Sequence, residues 1–153
     1  MAITRVVSTM ALSLLCLVAT AVAPRELAVA EKPVITVYKD PSCGCCKNWI
    51  EHLLKHGYRV TANDTRDLGS VKRTLGVPDR LQSCHTAVVG GYLIEGHVPA
   101  DDIARLLTQK PKIRGLAVPG MPMGSPGMEG PTRQSFTVLA FDGAGKTQVF
   151  ARH

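Results

Sequence analysis

From Val34 onward, hydrophobic and polar positions fall into short segments separated by Gly, Pro and Asp. Val34–Lys39 (VITVYK) is β-branched and aromatic and predicts a strand, broken by Asp40-Pro41-Ser42. Cys46, Trp49, Ile50, Leu53 and Leu54 keep the i, i+3, i+4, i+7, i+8 spacing of one helix face. They predict a helix from about Cys45 to His56, and Gly57 suits the position just past its end. Tyr58–Ala62 predicts a second strand, and Asp67–Leu75 a shorter helix closed by Gly76-Val77-Pro78. Ala87–Val89 and Tyr92–Val98 flank Gly90-Gly91, a hairpin signal. Pro99–Gln109 predicts a third helix, with Pro in the first turn, Asp101 and Asp102 near the N-terminus, and Ile103, Leu106 and Leu107 as the buried stripe. Pro111–Arg133 is rich in Gly, Pro and Met and lacks periodicity, so it reads as a loop. Ser135–Asp142 and Lys146–Arg152, joined by Gly143-Ala144-Gly145, predict a C-terminal hairpin.

This order, βαβ-α-ββα, predicts an α/β domain of thioredoxin-like architecture over residues 31–153, extended by the C-terminal β-hairpin. Its βαβ crossover should be right-handed. No internal repeat is visible.

Residues 1–30 do not continue this pattern. Arg5 is followed by an apolar run from Met10 to Ala23, and Ala28-Val29-Ala30 offers a small-x-small cleavage site. Ala21-Val22-Ala23 offers another, but Pro24 directly after it hinders cleavage. The run is short of the ~20 residues that span a membrane. A signal peptide cleaved near Ala30 and a periplasmic mature protein are therefore expected. A retained membrane anchor is the alternative, and membrane contact is otherwise expected only during export. Cys16 follows Leu15 rather than a small residue, which argues against a lipoprotein site.

The chain has 153 residues and a formal net charge of +6. Hydrophobic residues make up 45% and charged residues 20%, a globular composition. Aromatic residues are only 5%, too few for stacking platforms that grip single-stranded nucleic acid. The basic residues, among them Lys39, Lys47, Lys55, Arg59, Lys72, Arg73, Arg105, Lys110 and Lys112, form no run. They read as solvated surface, and no nucleic-acid partner is expected.

The cysteines carry the chemistry. Cys43-Gly44-Cys45-Cys46 falls between the first strand and the first helix and nests a C-x-x-C, Cys43 to Cys46. A helix N-terminus favours thiolate over thiol, and thiolate is both nucleophile and soft-metal ligand. Two thiols suffice for disulfide exchange, so the third points to a soft ion, Cu(I) above all. Cys84, in Ser83-Cys84-His85-Thr86, stands just before the third strand. In a thioredoxin-like fold that loop faces the N-terminus of the first helix, which would bring Cys84 and His85 to the Cys43–Cys46 loop. Alternatives stay open: a metal-free redox pair, Cys43 with Cys46; two structural disulfides; zinc, without two separated C-x₂-C knuckles; or an iron–sulfur cluster at an uncommon spacing.

Three other features are weaker. His52 and His56, spaced i, i+4, read as solvent-exposed rather than chelating. His97, in Glu95-Gly96-His97-Val98-Pro99, reads as structural, orienting a loop, with metal contact the alternative. Met121, Met123 and Met128, in GMPMGSPGME, are either Cu(I) thioethers or gap-filling side chains of a covering loop.

Three stretches in order, DPSCGCCKNWIEHL, SCHTAVVGGYLIEGHVPADDI and GLAVPGMPMGSPGME, with GVP between the first two, complete the pattern. Over residues 34–141 the chain resembles a family of small exported bacterial proteins long labelled only as a domain of unknown function. That family is regarded as thioredoxin-like, copper-handling and associated with copper resistance. The resemblance implies Cys43, Cys45, Cys46 and Cys84 as copper ligands, with His85, Met121 and Met123 as nearby members of the site. It also implies other periplasmic copper-resistance proteins as partners. Thiolates bridge metals, so such a site has room for a multinuclear copper centre.

N-terminal sequencing of exported protein should give a start near Glu31. A soluble protein beginning at Met1 would contradict export.

Overall fold

The computed structural model describes residues 31–153; the expected signal peptide and Cys16 lie outside the described residues. The chain order is β1 (Ile35–Lys39), α1 (Gly44–Lys55), β2 (Val60–Asp64), α2 (Leu68–Leu75), a 3-10 turn (Asp79–Leu81), β3 (His85–Val89), β4 (Tyr92–Glu95), α3 (Ala100–Gln109), β5 (Gly115–Ala117), β6 (Thr137–Phe141) and β7 (Thr147–Arg152). All seven strands form one mixed sheet in the order β2-β1-β3-β4-β5-β6-β7. The protein is thus a mixed α/β domain.

Alternation along the strands divides the interior between the two sheet faces, as a side-chain period of two requires. Ile35 and Val37 of β1, Ala87 and Val89 of β3, Ile94 of β4, Leu116 of β5 and Val138 and Ala140 of β6 share a core with Trp49 and Leu53 of α1 and Ile103 and Leu106 of α3. Leu93, Ala117 and Phe141 point the other way and pack with Val77 and Leu81, between α2 and β3. Trp49 is fully buried, and its indole Nε1 donates to the Val98 carbonyl at 2.9 Å.

Two strand pairings position the functional loops. β1 runs parallel to β2 and antiparallel to β3, with Lys39 opposite His85. The end of β1, which leads into the cysteine loop, therefore lies beside the start of β3, which Cys84 precedes. β3 and β4 then form the expected hairpin, with Thr86 opposite Glu95.

Four expectations need correction. The second strand is Val60–Asp64, not Tyr58–Ala62, because Tyr58 turns into the core under the end of α1. The stretch 111–133 is not all loop: Gly115–Ala117 pairs in parallel with β4 and antiparallel with β6. Three residues are too few to show a period, and this strand joins the C-terminal hairpin to the main sheet. Leu54 is 51% exposed, at the margin of the helix stripe rather than within it. Lys39 and Lys72 are buried, not solvated, because each reaches a carboxylate, Asp64 and Glu95 respectively.

Truncating Trp49 to Ala should destabilise the protein by about 3–5 kcal/mol. Leu54→Ala, on the same helix but half exposed, should change stability by less than about 1 kcal/mol. Denaturant midpoints of the two variants check both.

Candidate metal centre

The tight turn after β1 is built by Asp40, whose carboxylate accepts from the Ser42 backbone N–H at 2.8 Å. The turn delivers Cys43 to the N-cap of α1, where its sulfur accepts from Cys46 N at 3.3 Å. Cys43 and Cys46 are joined as a disulfide, while Cys45 and Cys84 are free thiols. Cys45 Sγ lies 3.6 Å from Cys43 Sγ and 3.8 Å from Cys84 Sγ. Cys46 Sγ, fully buried, lies 3.6 Å from the Cys84 carbonyl oxygen. All four sulfurs lie within 4.8 Å of one another.

Cys84 belongs to a second group as well. One donor atom each from Cys84, His85 and His97 also lie within 4.8 Å of one another. His97 Nε2 is 3.0 Å and His85 Nδ1 3.3 Å from Cys84 Sγ. His97 Nδ1 is 2.7 Å from the Pro126 carbonyl. A carbonyl only accepts, so Nδ1 carries the proton and the Nε2 lone pair faces the sulfur. A backbone carbonyl holding the far ring nitrogen is the support that metal-binding histidines typically have. His85 is wholly buried, packs against Trp49 at 4.3 Å between ring centroids, and has Nε2 without a hydrogen-bond partner.

The electrostatics favour neutral donors. Burial pushes the Cys84 thiol up to about 12, reinforced by Cys45 beside it. Burial holds His85 well below the usual imidazole range, with His97 and Lys72 adding repulsion. Burial also lowers His97, partly offset by the Pro126 carbonyl and by Glu129. Neutral imidazoles keep the lone pairs that ligate, and a soft ion would displace the Cys84 proton instead of competing with a charge. The donor set, four sulfurs with two imidazoles, fits a soft or borderline transition metal and not a hard oxygen-seeking one.

The Gly/Pro/Met stretch covers this centre through its backbone. A side chain at Gly127 (φ +85°) would put its Cβ 2.8 Å from the Cys45 carbonyl oxygen and 2.7 Å from Trp49 N, so only glycine lets the loop lie on α1. Ser83 Oγ donates to the Gly120 carbonyl, tying the same stretch to the Cys84 loop. Met121 is half exposed, and Met123 is partly buried with its side chain beside Gly130. His52 and His56 lie ring against ring in a tilted arrangement, 4.3 Å between centroids, and His52 Nε2 accepts from Ala100 N. Neither belongs to a metal-competent group among the described residues.

His97 is the residue whose place the sequence understated. Its structural reading placed it at the end of the hairpin's second strand, Tyr92–Val98; that strand stops at Glu95, and the turn at Gly96 folds His97 back to face Cys84. The available signal was symmetry about the hairpin: Cys84-His85 enters it and His97 leaves it.

Comparison with known proteins bears on this centre. The family described as "Protein of unknown function, DUF411" matches residues 81–128, which include Cys84, His85 and His97. Two solved structures of copper resistance protein CopG, its forms 1 and 2, are each 45% identical to the chain. Form 2 superposes with a TM-score of 0.76, covering 80% of this chain and 99% of that one; form 1 gives 0.75, with 80% and 98%. The chain belongs to the CopG family of copper resistance proteins. No curated protein matches it.

Thiolate is the alkylating nucleophile, so the raised Cys84 group makes a pH prediction. In the metal-free, disulfide-closed protein, alkylation at Cys84 should keep rising through pH 10 without a plateau. Mass spectrometry of iodoacetamide adducts against pH measures this, and a plateau near pH 9 would contradict the burial argument.

Proposed function

We propose that the protein binds copper as Cu(I) through Cys43, Cys45, Cys46 and Cys84, and that it contributes to copper resistance by sequestering the ion in the periplasm. The convergence of four sulfurs from segments 38 residues apart onto one small volume carries this conclusion. Thiolates select soft ions, and among those Cu(I) matches the relatives named for copper resistance. Bridging thiolates would give the pocket capacity for more than one ion. His85 and His97 would add imidazole donors on the Cys84 side. Met121 and Met123 would supply thioethers from the covering loop, tuning affinity without founding the site. Other exported copper-resistance proteins are the proposed recipients of the ion, and the signal-like residues 1–30 support the compartment.

The strand order β2-β1-β3-β4, with the cysteine motif between β1 and α1, supports a thioredoxin-like architecture for the first part of the domain. β5 to β7 extend it.

The disulfide supports a redox role. While it is closed, Cys43 and Cys46 cannot ligate as thiolates, and two electrons with two protons reopen the four-sulfur site. In the opposite direction, two thiolates closing to a disulfide release two electrons, enough to reduce two Cu(II) to two Cu(I). The same disulfide at a helix N-terminus favours a second reading, a metal-free thiol–disulfide oxidoreductase acting through Cys43 and Cys46.

Cys84 separates the two. Cys84→Ser keeps the size but replaces a soft thiolate with a hydroxyl that stays protonated. Copper per chain in protein purified from the periplasm should fall, and so should copper tolerance of cells lacking the native copy. Disulfide exchange should be largely retained. Unchanged copper binding would remove Cys84 from the site; a copper-free wild type with brisk exchange in the variant would establish the oxidoreductase.

A further inference from the structure

A charged network lies on the sheet face opposite His85 and Trp49. Glu95 is fully buried at the end of β4, and Lys72 of α2, 4% exposed, is its ion-pair partner. Along β3, His85, Ala87 and Val89 face the Trp49 core, so Thr86 points the other way, directly opposite Glu95. Thr86 Oγ1 donates to Glu95 Oε2 at 2.6 Å and accepts from Lys72 Nζ at 2.8 Å. Ser83 N donates to Glu95 Oε1 at 2.6 Å. One carboxylate therefore holds the residue before Cys84 and the residue after His85, and it stands two positions before His97.

No residue of this network belongs to either metal-competent group, yet its bonds to Ser83 and Thr86 end on the segment that carries Cys84 and His85. The Cys84–His97 contact depends on how far the strand leading into the hairpin sits from the turn leaving it. Gly96 N donates to the His85 carbonyl at 3.1 Å. A Cβ at Gly96 (φ +70°) would meet Val118 O at 2.6 Å and Ser83 Cβ at 2.7 Å, so this turn is packed to its limit. A buried ion pair is weak evidence for stability, since well-packed apolar residues often replace one without loss. Its placement under the donor hairpin calls for another role.

We propose that Glu95, clamped by Lys72, is a positioning residue for the metal centre: it fixes Cys84, His85 and His97 relative to one another from the opposite face of the sheet. This rests on the copper-binding reading above. Losing such outer support typically weakens metal binding by about 10- to 100-fold.

The test uses the reduced exported protein, titrated with Cu(I) against a competing chelator, with thiolate-to-copper absorption in the near ultraviolet as the spectroscopic signature. Glu95→Gln alone strands the Lys72 ammonium and endangers the fold, so the principal variant is Lys72→Met with Glu95→Gln, which keeps volume and removes both charges. Thr86→Val, which deletes one bond and keeps the shape, is the second. Leu106→Ala, in the α3 core, is a control for general loosening. The positioning role predicts affinity about 10- to 100-fold weaker and an altered absorption band in the double variant, a smaller change of the same kind in Thr86→Val, and a native band in the control. Wild-type affinity and band in both variants would overturn the positioning role while leaving copper binding standing. An equal loss in Leu106→Ala would reduce the network to ordinary stability. A wild type that takes up no Cu(I) would overturn copper binding and the positioning role together.

Discussion

The antiparallel pairing of β1 with β3 sets where every sulfur lies. Lys39, the last residue of β1, is opposite His85, the first of β3. The chain leaves β1 through a four-residue turn and enters α1 with Cys43 as its N-cap. It enters β3 directly from Cys84. Two loops distant in sequence thus meet at one end of the sheet, and their sulfurs have no need of flexible reach to come together. A register shift of one residue would turn His85 to the other face and break the cluster.

Around that meeting point the domain buries Cys46 and both imidazoles and leaves Cys43, Cys45 and Cys84 partly exposed. The stretch carrying Pro126 and Gly127 closes over α1. Desolvation favours neutral imidazoles at His85 and His97 and a protonated thiol at Cys84. Metal entry would exchange protons for a cation and spread its charge over several sulfurs. The disulfide removes two thiolates altogether.

Much of this was legible along the chain. The helix stripe through Cys46, Trp49 and Leu53, the hairpin at Gly90-Gly91 and the clustering of Cys43, Cys45 and Cys46 follow from spacing alone. What was not legible depended on partners far away. Lys72 looks like surface until Glu95, 23 residues on, is placed beneath it. Gly115–Ala117 looks like loop until β4 and β6 flank it. Leu54 looks like core until the helix is rotated onto a sheet that Leu53 and Trp49 already fill.

The sequence by itself determined the reactive kind of chemistry. Three cysteines within four residues, at the start of an amphipathic helix, fix a soft sulfur donor set because those atoms are covalently close. The composition of the site beyond those three was decided by tertiary structure. Cys84 and His97 join it through strand pairing, and Glu95 lies under it through the pleat that sends Thr86 to one face and His85 to the other. Such relations depend on register and burial, which are set by contacts between segments; the chain marks them only indirectly, by where Cys84, His85 and His97 stand about the hairpin.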